Sequence, residues 1–276
     1  MLQKNELHLG EFIHQKRCSK NMTLGRAAYG VMSASMLSKY EYGSSDITVT
    51  SFLCLLDNMD LTLEEVRQWL FENGISVKSE VCRKIEHAIQ EHDIAYLDNV
   101  CRKNDDELFL VSSLSKYTIL GKTQDSKTFK ILIDSILEVE EWGFYELWIF
   151  LIIMPNLSAE LLSFLLPEAL ERSHNLYGGD VFPKLRVKII VEAIIYYIEN
   201  NIIKKAQYFL LELKDTLMNY EECLEYRIIL MFFEGVISAK NGFDSGRKKA
   251  EKAIEILLEL DANKIANRYY QILNEL

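Results

Sequence analysis

From residue 76 to residue 276 the apolar residues recur at helical spacing in one segment after another, and no stretch alternates convincingly with the period of a strand. The segments lie near 76–102, 106–121, 125–141, 143–154, 158–174, 183–200, 202–219, 221–240, 243–260 and 262–275, and Gly121, Gly178-Gly179, Asn200-Asn201, Asn241-Gly242 and Asn263 punctuate the joins. Helices paired at a spacing of about 40 residues are the mark of a tetratricopeptide-like solenoid. Tyr196 to Leu213 and Phe233 to Leu260 each carry an aromatic, a polar turn, an alanine in the next helix (Ala206, Ala250) and an apolar stripe, so the repeat is degenerate. Only 3 prolines and 12 glycines in 276 residues fit a helical chain with short turns. The expected fold is all-α.

The first 66 residues are organised differently. Leu9, Phe12 and Ile13 share one face of a first helix, Leu24, Ala27 and Ala28 belong to a short second one, and Val31, Leu37 and Tyr40 complete a small core. Thr23 and Ser33 stand where N-cap oxygens are wanted, and Gly30 lies in the turn. Two short helices joined this way lay the second in a DNA major groove, here near Ser33 to Glu41. A helix over Val49 to Asn58 and another opened by a Thr62–Glu65 capping box close the unit. Asn73-Gly74 then breaks the chain. The sequence predicts a five-helix helix-turn-helix domain of the phage-repressor kind over 1–66, a linker over 67–75, and a helical-repeat domain over 76–276.

A net charge of −10 at first looks wrong for a DNA binder, but its distribution is uneven. Residues 1–45 hold six Lys/Arg against three acids, a balance of +3, which leaves −13 for the remainder. A basic head on an acidic body confines phosphate contacts to one end. The N-terminus has no apolar signal core, and the longest apolar run, Leu147 to Met154, is too short for a membrane span. Five cysteines (18, 54, 82, 101, 223) without CxxC spacing suggest reduced thiols in a cytoplasmic protein, with Cys54 either buried or placed in a dimer contact.

At these residues a family resemblance enters. LGEFIHQKR, the run SASMLSKYEYG and ITVTSFLCLLDNMDLTLEEV resemble the N-terminal domain of the Rgg/MutR peptide-responsive transcription regulators of Gram-positive bacteria. EEWGFYELWIF at Glu140 to Phe150 is similar to the Trp-x-x-Tyr-Glu-Leu segment of the same family, and GVISAKNG and AIEILLEL resemble its C-terminal repeats. The resemblance implies a basic first-helix position at Arg17, the start of the recognition helix at Ser33 and Ser35, and its end at Lys39, Glu41 and Gly43. Departures fall at His14, where the pattern usually has Arg, at Leu24, at Ala34, where a longer polar reader is common, and at Ala193. The expected DNA-binding set is Arg17, Thr23, Ser33, Ala34, Ser35 and Lys39.

Catalysis has no support in the sequence, which contains neither GxxxxGK[ST] nor GxSxG. Cys82, His87, His92 and Cys101 do not converge on one face of a single helix, so no metal and no cofactor is expected. Candidate peptide-binding residues are Trp142, Trp148, Arg186, Tyr197, Asn201 and Tyr226. Each has a plainer reading beside the functional one: aromatics at helical spacing as core, Asn200-Asn201 as a turn, Arg186 as a surface charge rather than a carboxylate anchor. The stripe Ile265, Tyr269, Ile272, Leu276 either pairs two chains or caps the solenoid within one. The expected protein is a cytoplasmic, homodimeric regulator that binds promoter DNA and a short signalling peptide. The alternative is a helical-repeat peptide-binding or scaffold protein that acts through protein contacts without reading DNA.

Overall fold

The computed structural model describes residues 8–73, 78–103, 107–120, 126–173, 181–218 and 224–275, and every regular element among them is helical. Gly74, Gly121, Gly178-Gly179, Cys223 and Leu276 lie outside the described residues. The chain divides into two compact units, residues 1–86 and 87–276.

The first unit contains α1 (Leu9–Ser19), α2 (Leu24–Ala27), α3 (Ala34–Glu41), α4 (Val49–Asn58) and α5 (Leu63–Glu72). Each start after α1 is fixed by a threonine or serine whose side chain accepts a first-turn N–H: Thr23 from Arg26, Ser33 from Met36, Thr48 from Ser51 and Thr62 from Glu65. Glu65 returns the bond to the Thr62 N–H at 3.0 Å, which completes the capping box. Phe12, Ile13, Ala27, Leu37, Leu55, Met59 and Trp69 form the core. Gly30 takes φ 73° in the α2–α3 turn, and Asn58 Nδ2 braces that turn by donating to the carbonyls of Ala27 and Tyr29 at 2.9 and 2.8 Å. Residues 67–72, expected in a linker, are instead the second half of α5, because the capping box starts a helix whose Val66 and Trp69 are buried in this core.

Next come α6 (Lys78–Gln90), α7 (Ile94–Lys103), α8 (Glu107–Ile119), α9 (Ser126–Leu137), α10 (Phe144–Ile153), α11 (Ala159–Arg172), α12 (Val181–Glu199), α13 (Ile203–Met218), α14 (Leu224–Lys240), α15 (Asp244–Glu259) and α16 (Asn263–Asn274). The segment expected as one helix near 76–102 is two, because His92 adopts φ 54° and Asp93 opens α7 by accepting the Tyr96 N–H. Within the second unit successive helices pack as antiparallel neighbours, α7 on α8, α12 on α13, α14 on α15, and α15 on α16.

The pair α14–α15 is the closest. A Cβ built on Gly235 would sit 2.5 Å from the Ala250 backbone N, and one on Gly246 would overlap the backbone N of Ala239. Alanine ordinarily favours a helix interior by about 1 kcal/mol over glycine. Here the atoms in the way are backbone, which cannot step aside, so overpacking wins. Gly235→Ala and Gly246→Ala should each destabilise the repeats by about 1–3 kcal/mol in denaturant melts; a stabilised variant would contradict this packing.

Candidate nucleic-acid interface and ligand pocket

α3 presents Ser33, Ala34, Ser35, Met36 and Lys39 to solvent, while Leu37, Tyr40 and Glu41 face inward. The exposed edge therefore begins at the N-terminus of the helix, where a recognition helix meets base edges. Thr23 and Arg26 are exposed on and just before α2. Arg26 and Lys39 form no ion pair among the described residues, so both ammonium and guanidinium groups are available to phosphates.

Arg17, expected at the phosphate backbone, is used inside the unit. Its Nε and Nη2 donate to Glu41 Oε1 and Oε2 at 2.6 and 2.7 Å, and Nη1 donates to the Met22 carbonyl at 2.9 Å. The Glu41 side chain is 1% exposed. Burial pushes its carboxyl up, but the hydrogen bonds from Arg17 and His14 outweigh that and hold it below the usual carboxylate range. The cluster locks the C-terminal end of α3 to α1 and sets the angle at which α3 is offered.

In the second unit three of the aromatics expected along a groove are core. Trp142, Trp148 and Tyr197 are fully buried: Trp142 meets Phe150 edge-on at 5.6 Å, and Tyr197 stacks on Phe209 at 5.7 Å. The Trp-x-x-Tyr-Glu-Leu segment is thus a structural device. Its Glu146 carboxylate accepts the Gly143 backbone N–H at 2.8 Å to start α10, and the Trp142 backbone N–H donates to the Arg172 carbonyl at 3.2 Å. Arg172 closes the same turn by donating to the carbonyls of Leu137 and Val139. Asn201 is exposed at φ 59° in the α12–α13 turn, and Tyr226 is half-buried on α14; neither lines the pocket described next.

Arg186 does line a pocket. A cavity of about 480 Å³ lies between α11, α12 and α13, bounded by Pro167, Leu170, Glu171, Arg186, Tyr208, Phe209 and Glu212. The Arg186 guanidinium donates to the Leu170 carbonyl at 2.6 Å and to Glu212 Oε1 at 3.4 Å, so its charge is partly met within the wall. Phe164, Tyr208 and Leu211 on the same two outer helices are large apolar side chains about 60% exposed. Their signal in the sequence is phase. The α13 core stripe is Ala206, Phe209, Leu210, Leu213 and Leu217, and Tyr208, Leu211 and Met218 fall off it.

On α16, Tyr269 is buried and stacks on Phe232 at 4.3 Å, and Ile272 is buried beside it, so both are spent within their own chain. Arg268 clamps Glu192 of α12 through two hydrogen bonds of 2.6 and 2.5 Å. Of the two readings of this stripe, the capping one describes its packing here.

A helix-turn-helix unit followed by a second unit of stacked helix pairs, which holds a pocket of its own, is the build of a two-part transcription regulator. The chain belongs to the Rgg family of helix-turn-helix transcriptional regulators, whose C-terminal domain matches residues 77–271. It shares its fold with the SHP pheromone receptor Rgg2 of Streptococcus dysgalactiae (TM-score 0.81, 18% identity, 97% of this chain and 99% of that one). A candidate transcriptional regulator from Listeria monocytogenes EGD-e is likewise similar (TM-score 0.85, 21% identity, 96% of both chains). So is PrgX in its complex with cCF10 (TM-score 0.74, 14% identity, 97% and 91%). Among the described residues no helix is long and apolar enough to cross a membrane.

Proposed function

We propose that this regulator binds promoter DNA through α3 as a two-fold dimer and that a short peptide, seated at the α11–α13 pocket, changes its output. The observation that carries the reading is the pocket: an aromatic and apolar wall with a few fixed polar groups is what an extended peptide needs for affinity and register. It is supported by the description of Rgg2 as a pheromone receptor and of PrgX in complex with cCF10. The DNA set becomes Thr23, Ser33, Ala34, Ser35 and Lys39 with Arg26 added, while Arg17 acts by holding α3. The proposed division of labour is a DNA-reading unit up to α5 and a peptide-binding repeat domain after it. The protein acts by binding rather than catalysis, and its place is the cytoplasm.

Lys39→Ala and Arg26→Ala should weaken binding to all duplexes alike, each lowering the slope of log affinity against log salt by about 1. Ser35→Ala should change sequence preference more than affinity, since a hydroxyl serves either a donor or an acceptor base edge. Fluorescence anisotropy across a salt series on DNA recovered by co-purification checks both, and unchanged slopes would remove α3 from the interface.

For the peptide arm, Tyr208→Ala should cut affinity about tenfold by removing an exposed aromatic anchor. Because Tyr208 lies outside the core, stability should stay within about 0.5 kcal/mol. Calorimetry of the full chain against short apolar peptides fractionated from the producing organism's spent medium makes the measurement. If no fraction binds the wild type and none alters transcription from the recovered operator, the chain is a regulator without a peptide effector.

A further inference from the structure

The geometry points to Cys18 as a peroxide-reactive thiol, with His14 as its base and Glu41 as the group that orients the base. His14 and Cys18 are one turn apart on α1 and share a face. Cys18 Sγ lies 3.8 Å from His14 Nε2, within reach of an S–H···N hydrogen bond, and His14 Nδ1 lies 2.9 Å from Glu41 Oε2. An ionised carboxylate only accepts, so Nδ1 carries the ring proton and Nε2 turns its lone pair to the thiol. Arg17 Nη2 also comes within 3.4 Å of Nδ1, but it already donates to Glu41 Oε2 at 2.7 Å, which leaves the shorter His14–Glu41 bond to fix the tautomer. The order nucleophile, base, buried orienting carboxylate is the arrangement that activates a side-chain nucleophile.

Access and conservation of charge complete the case. Cys18 is exposed, whereas Glu41 and most of Arg17 are not, so a small reagent reaches the sulfur without entering the ion pair. The C-terminal end of α1, where Cys18 sits, disfavours a negative charge, so the reactivity depends on His14 rather than on the helix. In the reaction the thiol proton passes to Nε2 and the sulfur attacks one peroxide oxygen. An S–O bond forms and the O–O bond breaks. Sulfur is oxidised by two electrons to the sulfenic acid, the peroxide is reduced, and the departing hydroxide takes the proton from Nε2 and leaves as water. The head thereby has a chemical input of its own, one hydrogen-bonded residue from the last residue of α3.

Cys54 supplies the internal comparison, since it too is exposed and has no imidazole or carboxylate partner among the described residues. The full-length protein is treated with hydrogen peroxide in the presence of dimedone, and the adducts at Cys18 and Cys54 are timed by mass spectrometry. Cys18 should be trapped about a hundredfold faster, the low end of what a positioned base contributes. In His14→Gln the Cys18 rate should fall to that of Cys54 while Cys54 keeps its own, and a thermal melt of the variant reports that the head remains folded. Equal rates at the two cysteines of the wild type would overturn the assignment without recourse to any variant. An undiminished Cys18 rate in a folded His14→Gln protein would overturn it as well.

Discussion

Glu41→Ala is expected to cost the head about 3–5 kcal/mol, because it removes the buried partner of Arg17 and leaves a guanidinium 12% exposed with no counter-charge. Thermal melting of the variant should show an early transition for residues 1–86, and DNA binding should fail with it. The same carboxylate makes the head sensitive to acid. Its pKa is lowered on folding, burial being outweighed by the bonds from Arg17 and His14. A group of that kind stabilises the native state above its unfolded pKa and stops doing so as pH falls through its folded value. Stability should therefore decline as the solution is acidified through and below the usual carboxylate range. Glu41→Gln should flatten that decline, and an unchanged acid limb in the variant would show that Glu41 is not its source.

Trp148→Ala should cost the repeat domain about 3–5 kcal/mol, since the side chain is fully buried in α10 and its removal leaves a cavity beside Tyr145. Trp148→Phe should recover most of the loss, because the indole Nε1 has no hydrogen-bond partner among the described residues. The pair separates a core tryptophan from a ligand contact when set beside Tyr208→Ala. The first changes melting and the second changes peptide affinity. A Trp148→Ala protein that melts like the wild type would return this residue to the list of groove-facing side chains.

The sequence on its own determined the all-helical class, the start of each helix in the head, and the placement of Ser33, Ser35 and Lys39 on the outer side of α3. These are local matters: apolar spacing fixes a face, and a threonine or serine before it satisfies first-turn N–H groups wherever the helix later packs. Periodicity also gave the tetratricopeptide-like series of helix pairs; among the described residues it missed the break at His92, where a positive φ ends one helix before Ile94 resumes the apolar pattern.

What the tertiary structure alone decided was how each polar or aromatic side chain is used. Arg17 reads as a phosphate contact until Glu41, 24 positions away, is found within 2.6 Å of it. Trp142, Trp148 and Tyr197 satisfy the pattern of a groove equally well as that of a core, because helical spacing says which residues share a face and not which face the neighbouring helix covers. Arg186 enters the pocket because residues of both α11 and α13 meet it there, Leu170 through its carbonyl and Glu212 through its carboxylate, while Phe164, Tyr208 and Leu211 remain exposed because no described helix covers that side. Long-range pairing assigns roles that composition and spacing leave open, since it is the chain folded upon itself that brings residue 17 to 41 and residue 171 to 212.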